Sequence, residues 1–353
     1  MIDFFIKVKQ QEAQKLPFVI FSKPNKNKLI GYFQKDEHLY STEDFTEKGF
    51  VFAPFDGCQT ILIPKKKSQK WKAELTVVDH NPTQNTFKED NSGKNKFETL
   101  VQKGIDAIKK GSFHKVVLSR EEIIDLSSFD LVAVFENLVR TYPTAFTYCW
   151  FHPKVGLWMG ATPELLLKAN EYKFSTMALA GTQSYNGNID VVWENKEKKE
   201  QQFVTDYIIE NIKEIASEVS VSSPYTLKAG NVLHIKTDIH GTIKEGSNLK
   251  DVVAVLHPTP AVCGLPKETA KNFIIDNEGY DRQYYTGFLG EINWKGFLSN
   301  DVKSDLYVNL RCMQIKNNQA YLYIGCGITK DSIPENEWQE TVNKSVTMKK
   351  IIV

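Results

Sequence analysis

The order of strand-like and helix-like segments is the feature that most constrains the fold of this chain. Short apolar segments rich in aromatic and β-branched residues follow one another in runs, and helical segments are interspersed among them without strict alternation. Regular alternation of strand and helix would indicate a parallel sheet, whereas runs of strands favour large antiparallel sheets. The sequence therefore predicts an α+β fold.

The first third of the chain has the pattern of an antiparallel meander. Two strand-like segments flank a Pro-Asn-Lys-Asn turn and two more follow: LPFVIFS, KLIGYFQ, GFVFAPF and QTILIP. From Asp79 to Lys96 the chain is rich in Asn, Thr, Lys, Ser and Gly, which indicates an exposed loop. This loop is the best candidate boundary, and it divides the chain into residues 1–96 and 97–353.

Further helices and strands are predicted beyond this loop. Apolar residues at helical spacing predict helices over residues 97–108, 131–139, 203–215, 266–279 and 338–346. The predicted strands are HKVVLSREEII, AFTYCWF, VGLWMGA, YKFSTMALA, VLHIKTDIHGTI, DLYVNLRCMQI and QAYLYIGCGI. Thr162, Pro163 and Glu164 have the signature of one more helix start, because a capping hydroxyl precedes proline and an acid.

Composition narrows the classes of partner. The formal net charge of +1 leaves no basic excess for a nucleic acid, and we expect none as a partner. The five cysteines form no CxxC pair, which indicates a reducing compartment. The N-terminus lacks the apolar core of a signal peptide, and no segment has the length and apolarity of a membrane span. We therefore expect a cytoplasmic protein that does not bind membranes.

Carboxylates at helical spacing are the first candidate site. Glu337, Glu340 and Lys344 lie at positions i, i+3 and i+7, so they project from one side of the predicted C-terminal helix. Magnesium prefers carboxylate oxygens, and an anionic substrate favours a nearby cation. Taken alone, the same stripe is more often an exposed face with an ordinary ion pair. Glu200 similarly lies at the edge of a predicted apolar helix face, within a charge-rich segment.

Several other residues have two interpretations. Lys115 opens a strand, where it either acts as a desolvated base or extends its amine to water. Glu164 either complements the predicted helix dipole or serves as a general acid, and the second role requires burial or a neighbouring carboxylate strong enough to overcome that dipole. Arg311 and His234 stand within apolar strands and each requires a partner, either a substrate anion or a buried protein group.

Seven short motifs together resemble the chorismate-utilising enzymes, which include isochorismate, salicylate, anthranilate and aminodeoxychorismate synthases. They are KVVLSR, GATPELL, LAGT, HPTPAVCG, LRC, GCGI and EWQETVNKSVTM, and they span residues 115–348. The resemblance implies one α+β domain with two large antiparallel sheets packed face to face and helices around them. It makes residues 1–96 a variable, strand-rich N-terminal portion of that domain and residues 97–353 the chorismate-binding catalytic region.

The resemblance also implies a role for each matching residue. Lys115 looks like the general base that activates water at ring carbon 2, and Glu164 looks like the general acid that protonates the hydroxyl leaving ring carbon 4. Glu200 and Glu340 look like ligands of a Mg²⁺ ion, with Glu337 close by through water. The expected substrate contacts and pocket residues are Gly181, Thr182, His234, Ala261, Arg311, Gly325, Gly327 and Lys344.

Two positions distinguish among the relatives. Ammonia-using members typically have glutamine where Lys115 stands, and aminodeoxychorismate synthases have a lysine nucleophile where Ala180 stands. Both positions therefore indicate water as the nucleophile. The proline-alanine pair in HPTPAVCG resembles the isochorismate branch, so isochorismate synthase is the expected activity, in menaquinone or siderophore biosynthesis. Salicylate synthase, which also eliminates pyruvate, is the alternative, and a non-catalytic binder of chorismate-like anions is a remote one. We expect a monomer whose partner is chorismate.

Overall fold

The computed structural model describes residues 1–75, 91–229, 232–295 and 301–352. Most of the loop predicted from Asp79 to Lys96 lies outside these residues. The loop was predicted to extend to Lys96, but a helix already begins at Lys94. The described helices are α1 (Ile2–Ala13), α2 (Lys94–Lys109), α3 (Leu131–Thr141), α4 (Asn195–Ile212), α5 (Leu249–Leu256), α6 (Lys267–Asn277) and α7 (Pro334–Ile352).

Antiparallel strands make up most of the remaining described chain. Those before the second helix are β1 (Phe18–Ser22), β2 (Lys28–Gln34), β3 (Tyr40–Thr42), β4 (Gly49–Ala53), β5 (Thr60–Pro64) and β6 (Ser68–Glu74). Those up to the fourth helix are β7 (Lys115–Asp125), β8 (Phe146–His152), β9 (Gly156–Thr162), β10 (Leu165–Asn170) and β11 (Lys173–Ser184). The others are β12 (Ala216–Val221), β13 (Tyr225–Ala229), β14 (Val232–Ile243), β15 (Gly264–Leu265), β16 (Phe288–Lys295), β17 (Val302–Val308), β18 (Cys312–Lys316) and β19 (Gln319–Ile328).

The strands form two large antiparallel sheets, which confirms the predicted fold class. The first sheet has the order β15-β7-β19-β18-β9-β8-β1-β2-β6, and the second has the order β12-β14-β11-β10-β17-β16-β4-β5-β3 with β13 paired to β14. Aromatic side chains from both sheets, among them Phe21, Trp150, Phe52 and Tyr307, pack into one buried layer between them. Because each fully buried large apolar side chain contributes about 1.5–3 kcal/mol, this layer is a major source of cohesion between the sheets.

The N-terminal segments were predicted as one meander, and this was wrong. β1, β2 and β6 belong to the first sheet, whereas β3, β4 and β5 belong to the second. A helix also precedes them, and it buries Phe4, Phe5 and Val8 against the outer face of the first sheet. The N-terminal strands are therefore integral parts of both sheets.

Two further predictions about local structure are corrected by the structure. No helix starts at Thr162, because that residue ends β9 and Leu165 begins β10. The Thr162 hydroxyl donates to the Val308 carbonyl at 2.6 Å, so it joins two strands. The segment DLYVNLRCMQI is not one strand either, since it crosses from β17 in the second sheet to β18 in the first.

Candidate active site

A cavity of about 270 Å³ lies where the two sheets and two helices meet. Its wall contains residues of β7 and β19 from the first sheet, of β11 and β14 from the second, and of α4 and α7. All thirteen predicted site residues line this one cavity: Lys115, Glu164, Gly181, Thr182, Glu200, His234, Ala261, Arg311, Gly325, Gly327, Glu337, Glu340 and Lys344. The fold thus brings together residues as distant in the chain as Lys115 and Lys344.

Glu164 is a buried acid at the turn between β9 and β10. It is 7% exposed, and burial raises the pKa of its carboxyl to about 7 although Lys115, Thr259 and Arg311 favour the charged form. The Thr259 hydroxyl lies 3.5 Å from Oε1. The objection that a helix dipole would keep this acid ionised does not apply, since no helix begins here. Glu164 can therefore retain a proton near neutral pH, as a general acid must.

Lys115 begins β7 and is also buried, with 8% of its surface exposed. Its ammonium group lies 2.6 Å from Oε1 of Glu200 on α4. Gly327 on the neighbouring strand makes room for it, because a Cβ at that position would come within 3.2 Å of the Lys115 side chain. Glu200 thus lines the cavity, although Phe203, expected on the same apolar face of that helix, is 63% exposed.

The stripe on α7 faces the cavity and contains an ion pair. Lys344 donates to Oε1 of Glu340 at 2.5 Å and to the Gly325 carbonyl at 2.9 Å. Glu337 lies one turn earlier, and burial raises the pKa of its carboxyl. The stripe therefore contains an ordinary ion pair and also lines the cavity.

Arg311 occupies the turn between the two sheets with a left-handed backbone, φ 47°. Among the described residues, no side chain or backbone oxygen accepts a hydrogen bond from its guanidinium, which is partly accessible from the cavity. A guanidinium presents five N–H donors in a planar fork that suits a carboxylate. Arg311 is therefore available to an anionic ligand.

His234 on β14 lies beside the backbone of β11. Its Nδ1 is 3.0 Å from the Gly181 carbonyl and 3.2 Å from the Thr182 hydroxyl. Burial lowers the pKa of the imidazole to about 4, and the nearby Lys344 and Arg311 act in the same direction. The ring is therefore neutral at physiological pH and adds no charge to the cavity.

Sequence reasoning missed several functional residues, among them Glu197 and Tyr285 of the wall and Thr259 beside Glu164. Glu197 precedes Glu200 by one helical turn, and its Oε2 is buried without a hydrogen-bond partner in the described part of the chain. The same i, i+3 spacing that identified Glu337 and Glu340 would have found it. Tyr285 and Thr259 carry no comparable local signal, because they come from irregular segments that only the fold brings to the cavity.

The carboxylates of the wall have the donor chemistry that Mg²⁺ prefers. Glu197, Glu200, Glu337 and Glu340 supply eight such oxygens, including the unpartnered oxygen of Glu197. Within residues 1–75, 91–229, 232–295 and 301–352, no three acidic, histidine or cysteine side chains converge closely enough to hold a metal ion. The residue types therefore fit magnesium, and side-chain movement would be needed to form a coordination sphere.

Comparisons with known proteins identify a family and several relatives of this chain. The family described as "Chorismate binding enzyme" matches residues 53–353. Isochorismate synthase EntC of Escherichia coli is 30% identical over 265 residues, covering 71% of this chain and 66% of that protein. Anthranilate synthase component 1 of Aquifex aeolicus is 27% identical over 299 residues, covering 82% of this chain and 59% of that protein. The chain thus spans less than two thirds of the length of these relatives.

Among solved structures, the menaquinone-specific isochorismate synthase MenF of Escherichia coli has the same fold. The TM-score is 0.80 at 21% identity, with 96% of this chain and 89% of that chain covered. Two face-to-face antiparallel sheets, with a cavity between them that is lined by charged residues, define the class of protein. The chain belongs to the family of chorismate-binding enzymes.

None of the helices in the described ranges is long and apolar enough to cross a membrane.

Proposed function

We propose that this protein is an isochorismate synthase, which converts chorismate to isochorismate with Mg²⁺. The observation that carries the proposal is the pairing, in one cavity, of Lys115 with a buried Glu164 that holds its proton near neutral pH. A base and an acid on one substrate are what replacement of a ring hydroxyl by water requires. The names of several relatives, including EntC, support the same activity.

Charge in the cavity supports an anionic substrate. Arg311 has no protein acceptor among the described residues, and Lys344 lies near it on the cavity wall. Chorismate carries two carboxylates, so these cations offer one contact for each. Tyr285 adds a hydroxyl to the same wall, and burial raises the pKa of that phenol, which keeps it a neutral donor. The cavity can therefore hold the ring in one orientation.

The proposed reaction uses the two buried groups at opposite ends of a conjugated diene. Lys115 takes a proton from water as the new bond to ring carbon 2 forms. In the same step both ring double bonds shift by one position and the bond to the hydroxyl at ring carbon 4 breaks as Glu164 donates its proton, so that water leaves and the ring is neither oxidised nor reduced. Before it acts as a base, Lys115 must release its ion pair with Glu200.

The four wall carboxylates would hold the magnesium ion. Glu200 and Glu340 are the proposed ligands, and Glu197 and Glu337 lie next to them along α4 and α7. When bound, the ion would neutralise and orient the ring carboxylate. A bound magnesium ion would also explain why a cavity proposed to bind an anionic substrate contains several carboxylates.

Product identity tests the proposal. Purified protein is incubated with chorismate and Mg²⁺ at neutral pH, and the products are separated by chromatography, with Glu164→Gln as the matched inactive control. We expect isochorismate with little pyruvate, and no anthranilate when ammonium is added. Stoichiometric pyruvate with fluorescent salicylate would indicate salicylate synthase instead. Tight chorismate binding without any product would indicate an anion-binding protein.

A further inference from the structure

Behind the cavity wall, Arg282 and Glu278 form an ion pair whose side chains are 2% and 1% exposed. The guanidinium binds the carboxylate through two bonds, from Nε to Oε2 at 2.7 Å and from Nη2 to Oε1 at 2.5 Å. Two parallel hydrogen bonds fix the orientation of the guanidinium relative to the carboxylate and also stabilise the ion pair. Neither residue lines the cavity, so neither is placed to touch a substrate.

The other donors of Arg282 reach three separate segments of the wall. Nη2 donates to the Val117 carbonyl at 2.7 Å, and Nη1 donates to the Val262 carbonyl and the Thr286 hydroxyl, each at 3.1 Å. Together with the bonds to Glu278, these contacts match the five N–H donors of the guanidinium. Val117, Val262 and Thr286 all line the cavity.

Each of these segments presents a group of the proposed reaction. Val117 lies two residues after Lys115 on β7. Val262 donates its backbone N–H to the carbonyl of Thr259 at 3.1 Å, and Thr259 is the residue beside Glu164. Thr286 directly follows Tyr285. Arg282 therefore links three parts of the wall. They are the strand that begins with Lys115, the loop beside Glu164 and the segment that contains Tyr285.

Glu278 strengthens the link to the strand of the base. Its Oε1 accepts hydrogen bonds from the Ser119 backbone N–H at 2.7 Å and from the Ser119 hydroxyl at 2.9 Å. The Tyr280 hydroxyl lies 2.6 Å from that same Ser119 oxygen. Both members of the ion pair thus hold β7, one at Val117 and the other at Ser119.

We propose that Arg282 is a positioning residue that sets the separation of Lys115 from Glu164. The inference rests on the proposed function, because it assumes that these two residues act on one substrate. A displacement of about 1 Å in a reacting group can cost about a hundredfold in rate. Lysine cannot replace the arginine, since a single ammonium offers three donors and no planar fork. The role therefore requires the guanidinium and not only its charge.

The test is to compare Arg282→Lys with the wild type in turnover and in chorismate binding. We expect kcat to fall by about ten- to a hundredfold, because base and acid are no longer aligned. The dissociation constant of chorismate, measured by calorimetry in a Glu164→Gln background that blocks turnover, should change less than about threefold. Arg311 and Lys344, the cations proposed to contact the substrate carboxylates, lie outside the network.

Two sets of variants separate positioning from general stability. Lys23→Met removes ion pairs that lie away from the cavity, in which Lys23 is 2.8 Å from Glu291 and 2.5 Å from Asp305. It should lower the unfolding midpoint without lowering kcat of the folded protein. Thr286→Val removes one acceptor of Arg282 and should lower kcat about three- to tenfold, whereas Thr286→Ser keeps the hydroxyl and should restore it.

The outcomes decide both proposals separately. If the wild type forms no isochorismate, the proposed function fails regardless of Arg282. If it does, and folded Arg282→Lys and Thr286→Val both keep kcat within twofold of wild type, the positioning role is overturned. A fall in kcat that Lys23→Met reproduces would overturn it as well. Should Arg282→Lys not fold, the Thr286→Val and Thr286→Ser pair decides alone.

Discussion

Replacing the buried acid, Glu164→Gln, should change how the stability of the protein depends on pH. Burial raises the pKa of Glu164 from an ordinary value near 4.5 to about 7. Each tenfold difference in proton affinity between folded and unfolded chain is worth about 1.4 kcal/mol. The folded state therefore gains about 3 kcal/mol from the protonated carboxyl at acidic pH, and glutamine lacks this pH-dependent contribution.

The sign follows from which state binds the proton. Between pH of about 4.5 and 7 the folded protein keeps the Glu164 proton while the unfolded chain has released it. The contribution is thus fully present below about 4.5 and is lost as the pH rises through about 7. Relative to Glu164→Gln, the wild type should lose about 3 kcal/mol of unfolding free energy across that window. Forward turnover should fall above pH of about 7 for the same reason.

Urea unfolding of both proteins at half-unit steps from pH 4 to 8 measures this difference directly. All other ionisable groups are common to the two proteins, so their contributions largely cancel in the difference curve. Circular dichroism at pH 6 checks that both proteins are folded before the titration. A difference that stays constant within about 0.5 kcal/mol over the whole range would refute the burial of a protonated Glu164.

Three further predictions concern the same cavity. Glu340→Gln should abolish turnover with the fold intact, because an amide holds magnesium far less well than a carboxylate; near-normal rates at limiting Mg²⁺ would show that the stripe is only a solvated face. Lys115→Ala should lower turnover about a hundredfold or more in both directions, and its combination with Glu164→Gln should cost less than the product of the two; full activity in either direction would make the lysine structural. Gly325→Ala would place a Cβ 2.8 Å from both the Leu118 carbonyl and the Tyr285 hydroxyl, so thermal unfolding should show a loss of about 1–3 kcal/mol and calorimetry weaker chorismate binding; unchanged values would contradict this packing.

Local patterns in the sequence were sufficient for the fold class and for one part of the site. The stripe of Glu337, Glu340 and Lys344 was predictable because helical spacing alone decides which side chains share a face. Lys115 was recognisable for a related reason, since it begins a long apolar strand within a motif that resembles the family. Both inferences depend only on residues that are close in the chain.

Other parts of the site depend on contacts between distant segments. The local sequence at Thr162 and Glu164 predicted a helix, but the Thr162 hydroxyl bonds to Val308 and the chain continues as a strand. The apolar segment around Arg311 was expected to be one strand, but it turns with a left-handed backbone and joins the two sheets. Neither change has a local signal, because each is imposed by strands that pair from far away in sequence.

The sequence by itself determined the antiparallel α+β fold, the shared helix face of Glu337, Glu340 and Lys344, and the identity of the charged residues at the site. Only the tertiary structure decided that Glu164 is buried enough to keep a proton, that Arg311 points a guanidinium with no acceptor among the described residues into the cavity, and that Arg282 joins three wall segments. The physical reason is that periodicity is a property of neighbouring residues. Desolvation and hydrogen-bond geometry are set by whatever the fold packs against them.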